Sequence, residues 1–80
     1  MKSFSEQADK LLLFLKENVV ADWNELYDIT GIQGDHPLYS RLKDKYGYVE
    51  YTRYKIHITK KGIDFISQTS FVKERDKTGI

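Results

Sequence analysis

The sequence predicts an α+β domain: a three-helix core, a two-stranded antiparallel hairpin and a closing helix. Three observations carry this. Apolar residues recur at helical spacing from Phe4 to Leu15, alternate at strand spacing from Val49 to Ile58, and return to helical spacing at Ile63 and Ile66. Gly31 and Gly47 stop the second and third helical segments, and each helix is preceded by a polar residue able to cap it. The chain has 80 residues and no cysteine, so its length fits one domain with a modest core, and it contains neither disulfides nor thiolate metal sites.

The first helix is expected over about residues 4–18. Ser3 and Glu6 have capping-box spacing, and Phe4, Ala8, Leu11, Leu12, Leu15 and Val19 fall on one stripe. Asp9, Glu6 and Glu17 read as its polar face. Asn18 can end it, and "NVVA" fits a very short strand. Asp22 and Glu25 repeat the capping logic for the second helix, with Leu26, Ile29 and Trp23 turned inward and Gly31 as the stop. After the tight turn "GIQGD", Asp35 or His36 caps the third helix, and Pro37 takes its first position, where a missing N–H costs nothing. Leu38 and Leu42 form its inner edge, leaving Tyr39, Ser40 and Lys43 outward, Arg41 at the side and Asp44 turned away.

The hairpin follows Gly47. Pairing Val49 with Ile58 and Tyr51 with Ile56 sets all four on one face and places Arg53 and Tyr54 at the tip. Neither tip residue is the Asn or Gly that a two-residue turn prefers, which predicts a wider or looser tip. His57 belongs to the outer face. Thr59 ends the second strand and caps a helix starting at Lys60, which explains the change of period within "YKIHITKKGIDFI". Beyond Ser67 the periodicity fades, so residues 68–80 read as a charged C-terminal tail after a domain spanning 1–67.

Net charge is only +1, but its distribution is uneven. Residues 1–35 hold three Lys against seven acids, residues 36–61 hold seven Lys or Arg against two acids, and residues 62–80 hold three of each. The middle third thus carries +5, the asymmetry of a side facing a polyanion. No metal-ligand spacing, Gly-rich phosphate loop or nucleophile elbow occurs, so neither an enzyme nor a cofactor or metal site is expected. No apolar run approaches the ~20 residues of a membrane span. Acidic residues interrupt the N-terminus before any apolar segment, unlike a signal peptide. A reduced, cytoplasmic setting is the expectation.

The segments "DWNELYDITGI", "HPLYSRLKDKYGYVEY" and "IHITKKGIDFI" resemble the winged helix-turn-helix domains of small prokaryotic or phage regulators, over roughly residues 5–67. The Thr-x-x-Gly step from strand to helix is the most specific part. The resemblance implies a transcriptional regulator binding double-stranded DNA, with the third helix (about 37–45) in the major groove and the 48–58 hairpin as the wing along the backbone. The residues so implicated are Tyr39, Ser40, Arg41, Lys43, Arg53, Lys55, Lys60 and Lys61. Lys and Arg can bond guanine edges or phosphates, while Ser and Tyr bond phosphate oxygens.

Plainer readings stand beside these. Arg41, Lys43 and Lys45 also suit a solvated helix face, and Arg53 and Lys55 also suit a sheet edge protected against aggregation. Lys60 and Lys61 occupy a helix N-terminus, where the dipole disfavours cations, a small cost that a nearby phosphate would relieve. The tyrosines read as core or rim, with stacking on single-stranded bases as the functional alternative. The competing function is a protein-interaction module of the same fold without DNA binding, which near-neutral net charge favours. Phe14 off the main stripe of the first helix, or Phe71 and Val72 in the C-terminal segment, would then form a homodimer contact or docking surface.

Overall fold

The computed structural model describes residues 4–34 and 36–78, with side chains through residue 75. The fold is α+β. Its order is α1 (Phe4–Asn18), β1 (Val20–Asp22), α2 (Trp23–Thr30), α3 (Pro37–Arg41) running into a π-helical turn (Leu42–Tyr46), β2 (Val49–Tyr51), β3 (Lys55–Ile58), α4 (Lys60–Gln68) and α5 (Phe71–Thr78). The three strands form one antiparallel sheet in the order β1-β3-β2.

The α1 stripe closes the core, with Ala8, Leu11, Leu12 and Leu15 all buried. Asn18 ends α1, its amide donating to the Phe14 carbonyl at 2.9 Å. The Ser3 half of the expected capping pair lies outside the described residues. Spacing predicts Val19 on the stripe, but the chain leaves the helix there with φ +69° and the side chain is exposed. This turn lets β1 run back along β3, where Val20, Ala21 and Asp22 pair with His57, Ile56 and Lys55. A β-branched residue in the left-handed region is strained. Val19→Gly is therefore expected to raise stability by about 1 kcal/mol, read as a higher urea midpoint with unchanged slope. An unchanged or lower midpoint would count against this backbone geometry.

Asp22 caps α2 as expected, accepting from the Glu25 N–H at 2.8 Å, and Gly31 ends it in the left-handed region. Only Leu26 of α2 is fully buried; Trp23 is half-buried and Ile29 is exposed rather than inward. His36 caps α3 through Nδ1, which accepts from the Leu38 N–H at 3.0 Å, while Asp35, the other cap considered, lies outside the described residues.

The hairpin has the expected register, with Val49 opposite Ile58 and Tyr51 opposite Ile56. Its tip is tighter than expected. Arg53 and Tyr54 alone separate the closing pair, because the Thr52 N–H donates to the Lys55 carbonyl at 2.8 Å. Thr52 Oγ1 accepts from the N–H groups of Tyr54 and Lys55, both at 3.3 Å, so a hydroxyl does the work of a turn-forming Asn or Gly.

Thr59 joins sheet to helix through both ends of its hydroxyl. Oγ1 accepts from Gly62 N–H at 3.1 Å, capping α4, and donates to the Gly47 carbonyl at 2.7 Å. The Thr-x-x-Gly step is thus a clasp between the end of the π turn and the start of α4.

The C-terminal segment departs from the expected loose tail. Residues 71–78 form α5, which packs on α1. Phe71 is buried among the rings of Phe4, Tyr46, Tyr48 and Phe65, with centroids 4.8–5.8 Å away. Burying that ring contributes about 1.5–3 kcal/mol, enough to hold a short polar helix that periodicity alone does not reveal. Asp9, expected on the polar face of α1, is buried and accepts from the N–H groups of Phe71 at 2.6 Å and Val72 at 3.0 Å.

Candidate nucleic-acid interface

The basic segment folds as α3, the π turn, the hairpin and the first turn of α4. The structure rearranges the side chains expected there. Tyr39 is not a surface contact. It is almost wholly buried, packs edge-on against Trp23 at 5.0 Å, and donates its hydroxyl to the Ile32 carbonyl at 2.9 Å. Burial pushes its phenol above the ordinary value of 10, opposed by a hydrogen bond with Thr30. The inward stripe of α3 is therefore three residues wide, because the turn carbonyl of Ile32 satisfies a hydroxyl that would otherwise force the ring outward.

Ser40 and Arg41 are exposed on α3, and Ser40 Oγ donates back to the Pro37 carbonyl at 3.1 Å. The Arg41 guanidinium lies over the Phe4 ring at 4.7 Å from its centroid, on the α1 side. Lys43 is half-buried and leans the other way, its ammonium 5.1 Å from the centroid of Tyr51 on β2. Lys45 lies over Tyr46 at 5.4 Å. Each ring steadies a cation and leaves its N–H donors available for anions. Asp44 is exposed in the π turn.

Arg53 is exposed at the hairpin tip, its guanidinium 6.0 Å from the Tyr54 ring centroid. The tip is tied to the helices by Trp23, whose indole N–H donates to the Thr52 carbonyl at 3.2 Å. Lys55 stands apart from α3. The alternation along β3 sends it to the outer face with His57, and it lines a shallow recess with Asp22 and Glu25. Lys60 and Lys61 are exposed, and the Lys61 chain runs alongside Gly47 at the end of the π turn. Ser40, Arg41 and Lys43 thus lie on α3 and the π turn, Lys61 runs beside the end of that turn, Arg53 stands at the hairpin tip, Lys55 lies on the outer face of β3, and Tyr39 is inside. Lys45 shares the π turn with Lys43. Its place next to Lys43 in a basic run was the signal available in the sequence.

Among the described residues no cluster of His, Asp or Glu could hold a metal ion, and no helix is long and apolar enough to cross a membrane. Comparison with protein-family models, with curated proteins and with solved structures gives no match.

Proposed function

We propose that this chain is a winged helix-turn-helix domain that binds double-stranded DNA as a transcriptional regulator, with residues 37–45 entering the major groove and the 48–58 hairpin acting as the wing. The observation that carries this is the arrangement of the basic segment. The helix–strand–helix–helix–strand–strand order, with the first strand paired to the last, distributes the +5 run of residues 36–61 over α3, the π turn, the hairpin and the first turn of α4. Cations flank α3 on both sides, and groove width suits a single helix with such flanks.

Roles within the interface divide by how firmly each cation is held. Lys43 is half-buried against Tyr51, a fixed geometry that base readout needs. Arg53 is exposed at the tip, where it suits a phosphate. Lys43→Ala is expected to lower affinity and alter the preferred sequences, since one good base contact is worth about 1–3 kcal/mol of discrimination. Arg53→Ala is expected to weaken all sequences alike and reduce the salt slope by about one. Competition against a pool of randomised duplexes compares both variants. The reverse pattern would make the hairpin the reading element. No duplex binding by the parent chain would leave the interaction-module reading, which the exposed Leu13, Val19 and Val20 favour.

A further inference from the structure

A cleft of about 340 Å³ opens between the α2–α3 turn and the hairpin, lined by Trp23, Gly34, Tyr51, Thr52 and Arg53. It is a shallow recess open to solvent. Two aromatic rings form it, with Trp23 and Tyr51 meeting edge to face at 73° and 5.5 Å between centroids. Gly34 presses on the indole: a Cβ there would sit 3.2 Å from Trp23 Cε3, so the ring is backed by main chain. The indole N–H is already engaged by Thr52, which fixes the ring's orientation.

The chemistry at the rim is anion-seeking. Arg53 lines the opening. No acidic side chain lines the cleft among the described residues. The Tyr51 hydroxyl makes no hydrogen bond among the described residues and remains able to donate. Flat rings held rigidly, with a guanidinium at the edge, match a ligand that carries a flat ring and a phosphate together. The main-chain use of the indole donor leaves little with which to tell one base from another.

We propose that this cleft takes an unpaired nucleotide of a DNA strand, its base stacked on Trp23 or Tyr51 and its phosphate held by Arg53. The inference rests on the DNA-binding reading and adds a preference for single-stranded or frayed ends beside the duplex site.

Trp23 is the only tryptophan and lines the cleft, so its fluorescence reports binding there. The test titrates the full chain with an oligothymidylate of about ten nucleotides, within the span of known single-strand sites, with a blunt duplex and with thymidine monophosphate. The oligothymidylate is expected to quench Trp23 emission and to bind more tightly than the monophosphate. Tyr51→Leu and Arg53→Ala are each expected to weaken that quenching about tenfold, the order of one stacked base or one phosphate contact. Arg53→Ala is a surface change that keeps the test valid if Tyr51→Leu unfolds. Absence of quenching by the single strand, while the duplex still binds, overturns the cleft and leaves the duplex reading standing. Binding of neither overturns both. Monophosphate binding as tight as the oligonucleotide assigns the cleft to a free nucleotide and overturns the strand proposal, as does quenching indifferent to both substitutions.

Discussion

Gly62→Ala is expected to lower stability by about 3 kcal/mol, a large part of the ~4–12 kcal/mol typical of a chain this size. A Cβ at Gly62 would lie 2.8 Å from Ile58 Cγ1 and press directly on the Tyr48 carbonyl. That carbonyl cannot easily yield, because it accepts from the Thr59 N–H at 2.9 Å. Gly31 supplies the contrast. Its φ of +71° favours glycine, but a Cβ there meets nothing within 4 Å, so Gly31→Ala is expected to cost only about 1 kcal/mol. Urea denaturation of both variants decides the matter. If Gly62→Ala costs no more than Gly31→Ala, α4 does not approach residue 48 as closely as described.

Asp9→Ala is expected to cost about 2–3 kcal/mol, unusual for an acid on a helix that would otherwise read as solvent-facing. Its carboxylate accepts from two N–H groups at the start of α5, a segment 62 residues away in sequence. Removing it strands both donors beside the buried Phe71 ring. Asp9→Asn keeps one acceptor oxygen and should lose about half as much. Glu17, exposed on the same helix, is the control: Glu17→Ala should stay within about 0.5 kcal/mol. Hydrogen exchange should show α5 amides losing protection in Asp9→Ala before those of α1. Equal losses at Asp9 and Glu17 would show that α5 is not held this way.

What was legible in the sequence were features with local signals. The α1 stripe, the Asp22 and Thr59 caps and the β2–β3 register follow from spacing and capping chemistry within a few residues. The departures at Asp9, Phe71 and the hairpin tip depend on partners distant in sequence or on a side chain standing in for backbone. Asp9 reads as polar face and Phe71 as an exposed contact until α5 docks on α1 and buries both. Thr52 closes the hairpin tip by a hydroxyl, so the missing Asn or Gly misled.

Within the candidate interface the same logic separates Tyr39 from its neighbours. Helical spacing alone puts residues 39, 40 and 43 outside the Leu38–Leu42 edge. Only the Ile32 carbonyl and the edge of Trp23, both from the preceding helix and turn, explain why the tyrosine is inside. The concentration of positive charge was visible directly, and strand alternation also gave the outer face of Lys55. Alternation along β3 takes Lys55 to the outer face beside Asp22 and Glu25, while Arg53 stays at the tip.

The most direct test of the central claim is a duplex titration at two salt concentrations. If about four of the cations around α3 and the hairpin each neutralise a phosphate, log K falls against log salt with a slope near −3.6, about −0.9 per contact. The account predicts measurable binding at low salt with a slope of that order. Absence of binding at low salt, or an affinity indifferent to salt, would contradict it.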